Sequence, residues 1–105
     1  MELVRFDPAN AVPLEGGANA IYVPVQMNNR LVGMVIQLER KGDTGKREVA
    51  NDVMLVVLSG EGRLRSGGEI ADLRTGDVCI LPGGIKHQIW TADSRIQAVM
   101  MPLGA

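Results

Sequence analysis

The sequence predicts an all-β sandwich or barrel, on three observations. Short runs rich in Val, Ile and Leu recur along the chain, turn residues separate them, and no stretch carries the apolar stripe of an amphipathic helix. The 13 glycines and 5 prolines punctuate these runs and do not gather in one segment, which argues against a linker or a disordered tail.

Taken in order, residues Met1 to Gly17, with Pro8, Pro13 and Gly16-Gly17, read as an N-terminal arm that packs on a barrel, its own or a partner's. Strands follow at Ile21 to Gln26 and Leu31 to Glu39, joined by an Asn28-Asn29 turn. Glu39 to Glu48 is the most charged stretch, and its interleaved signs suit a solvated loop. Val53 to Ser59 and Gly62 to Arg65 read as two strands with a hairpin turn at Ser59-Gly60 and Gly60-Glu61-Gly62. Glu61, Arg63 and Arg65 then share an outward face and suit cross-strand charge pairs. Turns at Ser66-Gly67-Gly68 and Thr75-Gly76-Asp77 lead to strands at Val78 to Leu81, His87 to Thr91 and Arg95 to Pro102. With His87 facing inward, the period of two places Ile89 and Thr91 beside it and sends Gln88 and Trp90 outward.

One strand breaks the alternation. Met54-Leu55-Val56-Val57-Leu58 is apolar on both faces, so something must cover its outer side. In so short a chain the cover is a second sheet or a second subunit, and a homodimer is expected through this strand or through the N-terminal arm.

Length and charge narrow the function classes. A chain of 105 residues makes one domain, residues 1–105, and buries about 60 to 70% of its unfolded surface. Eleven basic and twelve acidic residues leave a net charge of -1, so no strong field draws the protein to nucleic acid or anionic lipid. A single Trp, Tyr and Phe offer little to stack nucleobases on. The lone Cys79 has no disulfide partner and reads as a buried inert thiol. No stretch resembles a signal peptide or a membrane span, and the expected location is cytoplasmic.

The most informative residues are Gly76, Pro82, Gly84 and His87, in the stretch Gly76-Asp77-Val78-Cys79-Ile80-Leu81-Pro82-Gly83-Gly84-Ile85-Lys86-His87. A glycine, five residues, Pro-x-Gly, two residues and a histidine resemble the second signature of the cupin superfamily. From Val53 to Thr91 the chain looks like a small single-domain cupin. The resemblance implies a double-stranded β-helix, or jelly-roll barrel, with His87 facing the cavity. The family's first signature supplies two histidines and a glutamate as further metal ligands. Counting back from Gly60 puts the glutamate position at Val53 and the histidine positions at Arg47 and Val49, or at Lys46 and Glu48 with a longer spacer. His87 is the sole histidine, and Thr91 stands where the family often has asparagine. A divalent metal would therefore find an incomplete ligand set, since metalloenzyme sites generally use three protein ligands. No cofactor is expected.

The functional expectation is a barrel that holds a small ligand for sensing or sequestration, in a cavity lined by His87, Val53, Leu55, Val57 and Ile89. Arg47 at a vacated ligand position would make the site suit an anion, because a guanidinium pairs with a carboxylate in bidentate geometry. The competing expectation is a cupin enzyme of isomerase, decarboxylase or dioxygenase type, with His87 as acid or base and Glu48 or Asp52 as its partner, or with an unusual metal site. A third is a structural barrel whose interior is filled by Met and Leu side chains.

Overall fold

A computed structural model describes residues 1–104, and the chain is all-β apart from one 3-10 turn at Pro8–Asn10. The strands are β1 (Val12–Pro13), β2 (Ala18–Met27), β3 (Arg30–Asp43), β4 (Val53–Ser66), β5 (Glu69–Arg74), β6 (Val78–Leu81), β7 (His87–Trp90) and β8 (Ile96–Pro102). Two long strands belong to two layers at once. The first half of β4 pairs with β6 and β8, and its second half pairs with β5 and β7. β3 pairs with β2 and β8, and its last residue, Asp43, reaches Trp90 of β7. This sharing rolls the sheet into a barrel and leaves few open edges.

Two features explain how one strand serves both layers. The β4–β8 register shifts between Val57 and Ser59, and Gly60 follows with φ +85°. A Cβ on Gly60 would overlap the Arg95 carbonyl, so only glycine permits this bend. The Gly60-Glu61-Gly62 segment is thus a bend within one 14-residue strand and not the expected hairpin turn. A glycine at a bulge and a glycine in a turn look alike in sequence.

Other boundaries also move. The Glu39 to Glu48 segment is not wholly a solvated loop, because β3 continues to Asp43 and Thr44 is buried. Backbone bonds hold it: Lys41 N–H donates to Ala92 O at 2.7 Å and Thr44 N–H to Ile89 O at 2.9 Å. β5 is an additional strand with one buried residue, Leu73, and owes its pairing to the two-residue Gly67-Gly68 hairpin. At the Asn28-Asn29 turn both residues have positive φ, 53° and 62°, as the favoured two-residue hairpin requires.

The inward rows of both layers form one core that includes Ile36, Leu38, Leu55, Val57, Leu81, Ile89 and Ile96. Each such side chain contributes roughly 1.5–3 kcal/mol of burial. The arm joins this core of its own barrel: Leu14 is buried in it, and β1 pairs with Tyr22 and Ile21. On the outer face Arg63 bonds Asp72 at 3.1 Å, the expected cross-strand charge pair. No helix of the described residues is long and apolar enough to cross a membrane.

Candidate functional site

The turn between β6 and β7 positions the site. Gly84 adopts φ +77° and its N–H donates to the Val49 carbonyl at 2.7 Å, while Gly83 N–H donates to the Asp52 carboxylate at 2.8 Å. These bonds fasten the β3–β4 connection, which carries Arg47 and Val49, onto the segment that leads into His87.

His87 begins β7 and is 3% exposed. Its N–H donates to the Arg47 carbonyl, and the Arg47 N–H returns a bond to the His87 carbonyl, both at 2.8 Å. The ring's Nδ1 is buried and has no hydrogen-bond partner. Burial lowers the imidazole pKa from its ordinary value, the positive charge of Arg47 lowers it further, and the Ile85 carbonyl opposes both. Both lowering causes favour the neutral ring. Glu48 and Asp52 are exposed, and neither hydrogen-bonds the ring.

Arg47 is half-buried, and its guanidinium has carbonyl partners. Nε donates to Thr44 O at 3.0 Å, and Nη2 donates to the Glu15 carbonyl of the arm. The residue clasps the arm to the barrel. Thr91 is buried as well, accepting from Gly42 N–H at 2.8 Å and donating to Glu39 O at 2.6 Å, so it ties β3 to the end of β7.

The remaining expected residues separate into two groups. Val53 lines a cavity of about 260 Å³ at one end of the barrel, with Met34, Val49, Asn51 and Met100 among the other walls. Leu55, Val57 and Ile89 are fully packed in the core and do not line it. His87 lies instead beside a second hollow of about 200 Å³, with Lys46, Arg65, Lys86 and Gln88. Three cations meet there without a carboxylate in the wall. Met34, Asn51 and Met100 went unrecognised in the sequence, although the alternation of the β3 and β8 residues does point Met34 and Met100 inward. Asn51 lies in an irregular connection and leaves no such signal.

Of the positions where the sequence resemblance implies metal ligands, His87 is a histidine, Arg47 is engaged by carbonyls, Val49 and Val53 line the cavity, and the alternative pair Lys46 and Glu48 is exposed. Among the described residues no group of three or more His, Cys, Asp or Glu side chains is placed to hold a metal ion. The donor set does not fit a first-row metal site. Cys79 is half-buried on β6, and burial followed by the nearby Asp77 carboxylate raises its thiol pKa, so it is a poor nucleophile.

The rolled double-layer sheet and the glycine-proline turn ahead of an inward histidine define a small jelly-roll barrel. The cupin domain profile matches residues 35–103, and the chain belongs to the cupin family. A cupin 2 conserved barrel domain protein from Salinispora arenicola superposes with a TM-score of 0.77 at 23% identity, covering 96% of this chain and 88% of that one. A cupin-like protein from Thermotoga maritima gives 0.80 at 15% identity, covering 92% and 78%. The polyketide cyclase RemF from Streptomyces resistomycificus gives 0.75 at 15% identity, covering 96% and 80%. A comparison with curated protein sequences finds no match. Identities this low speak for the fold alone, and the chemistry rests on the residues of this chain.

Proposed function

We propose that this cupin is a metal-independent barrel that binds a small, largely apolar molecule at its mouth. One observation carries the reading: Val49 and Val53, at vacated ligand positions, form walls of a cavity of about 260 Å³ together with Met34 and Met100. A cavity of roughly 150 Å³ with such a lining already admits benzene, so this one holds a somewhat larger molecule. Asn51 is the polar wall residue that would orient it. The three cations beside His87 favour a second reading, an anionic ligand in the neighbouring hollow. The unpaired Cys79 thiol suits a reducing compartment, and we place the protein in the cytosol.

The test is a titration with toluene, cyclohexanol and indole, followed by amide NMR, with inorganic phosphate as the anionic probe. Saturable shifts at Val49, Asn51 and Val53 that vanish in Val49→Trp are expected from the apolar probes. Shifts confined to Lys46, Lys86 and Gln88 on adding phosphate would move the site to the hollow. Stoichiometric metal in the purified protein would overturn the metal-independent reading.

A further inference from the structure

The outer face of the smaller layer holds the chain's lone tryptophan beside uncompensated positive charge. Gln88 and Trp90 point outward from β7, and Arg65 of β4 stands opposite Gln88. Arg63, opposite Trp90, is tied to Asp72, whereas Arg65, Lys46 and Lys86 make no ion pair among the described residues. The hollow of about 200 Å³ beside His87 does not end at Gln88. Arg65 and Gln88 also wall a hollow of about 240 Å³ with Trp90 and Asp43, so the two form one groove along β7. Its ends differ in charge. Lys46 and Lys86 stand at one end, and at the other the Asp43 carboxylate accepts from the Gln88 amide at 2.9 Å. The Arg65 guanidinium lies over the Trp90 ring at 5.9 Å from its centroid, near the outer limit of a cation–π contact. Trp90 is half-buried, so part of the indole is open to the groove.

We propose that this groove binds a small aromatic phosphate, with the phosphate among Lys46, Lys86 and Arg65 and the ring on Trp90. The inference rests on the second reading above, an anion in the hollow beside His87, and supplies the other half of that ligand. Three considerations select it. A phosphate presents several oxygens to several cations at once, and a guanidinium binds it in bidentate geometry. The same guanidinium stacks on aromatic rings, so in the complex Arg65 turns from the indole to the phosphate and clears the indole face for the ligand's ring. Gln88 and Trp90 are one same-face step apart on β7, about 6.8 Å, which a phosphoryl group and the ring it esterifies can span. Finally, the Asp43 carboxylate at the Trp90 end repels an anion and directs it to the lysine end, which fixes one orientation. The chain's net charge of -1 lends no wider field to hold a polyanion, so a single compact anion fits better than nucleic acid.

Calorimetry and NMR of the full chain with inorganic phosphate and with phenyl phosphate test this. Phenyl phosphate should bind about tenfold more tightly, the share of one aromatic stack, and should shift the Trp90 indole N–H together with the amides of Lys46, Lys86 and Gln88. Arg65→Gln and Lys86→Gln should each weaken it about tenfold, the worth of a charge-assisted hydrogen bond. Trp90→Leu should erase the advantage of phenyl phosphate and leave inorganic phosphate unaffected, with the circular dichroism unchanged. Trp90→Phe keeps a ring and should retain the advantage, which covers the case in which Trp90→Leu fails to fold. Phenyl phosphate that binds no more tightly than phosphate, with the indole unmoved, overturns the aromatic site while the anion reading stands. No binding by either probe overturns both. Phenyl phosphate shifts at Val49, Asn51 and Val53 in place of Trp90 would put the ligand at the barrel mouth and overturn the proposal.

Discussion

Arg47 and His87 hold each other by a reciprocal pair of backbone hydrogen bonds at 2.8 Å, an isolated antiparallel bridge outside the regular strands. The sequence resemblance implies a metal-ligand position at His87 and a second at Arg47, or at Lys46 with a longer spacer. The bridge keeps Arg47 and His87 adjacent while their side chains serve different roles. The guanidinium secures the arm, and the imidazole is buried with Nδ1 unpartnered.

A pH dependence of stability follows. The folded pKa of His87 lies below its unfolded value of about 6.5, so the unfolded chain binds more protons between the two. The stability contributed by the neutral ring is complete above about pH 6.5 and is lost as the pH falls towards the folded pKa. Thermal unfolding midpoints from about pH 8 to about pH 5 should therefore fall, and the slope should flatten in His87→Gln. Arg47→Ala removes the charge that disfavours the imidazolium, so the His87 pKa should rise in proton NMR. The same change frees the arm and should cost about 1 kcal/mol, with faster proteolysis before Gly17. An unchanged His87 titration in Arg47→Ala would separate the two residues electrically.

Glycines of similar backbone conformation should respond very differently to alanine. Gly60 and Gly76 have φ +85° and +91°, but a Cβ on Gly60 meets the Arg95 carbonyl whereas one on Gly76 meets nothing within 4 Å. Gly76→Ala should cost about 1 kcal/mol, the strain of a left-handed residue. Gly60→Ala adds a backbone collision at the bend that carries β4 between the layers, and should cost about 3 kcal/mol or more. Urea unfolding of the two variants checks the ranking, and equal costs would show that the β8 backbone gives way freely.

The strands with β-branched alternation were legible in the sequence, and so was the inward set His87, Ile89 and Thr91. Turn chemistry marked Asn28-Asn29 and Gly67-Gly68 because both demand positive φ or unusual freedom. Two kinds of feature were not legible. Gly60 carries the same residue signal whether the chain reverses or bends, and only its approach to Arg95 decides. β5 has too few apolar residues to announce a strand and forms because its backbone completes a ladder. At the site, Val53 could be placed on the wall of the barrel from the signature spacing. Whether that wall stays open depends on side-chain volumes across the barrel, which close it around Leu55, Val57 and Ile89 and leave space near Met34 and Met100.

Introducing the ligands that the resemblance implies tests whether this barrel offers the geometry of a metal site. Arg47→His, Val49→His and Val53→Glu together would return the two histidines and the glutamate of the first signature to a barrel that already supplies His87. The backbone that carries them is held in place by Gly84 N–H on the Val49 carbonyl and by the Arg47–His87 bridge, so the new side chains start from a fixed frame. The carboxylate that Val53→Glu buries in an apolar wall without a cation has a raised pKa and destabilises the folded state, as does loss of the arm clasp. Bound metal offsets both, because a ligand that binds only the native state stabilises it by mass action. The expected result is a triple variant less stable than the parent, rescued by Co(II) or Zn(II), with the d–d absorption of Co(II) appearing at one equivalent. The parent should show neither effect. A folded triple variant that takes up no Co(II) would mean that His87, sealed beside Arg47, no longer faces the same point in space as residues 49 and 53.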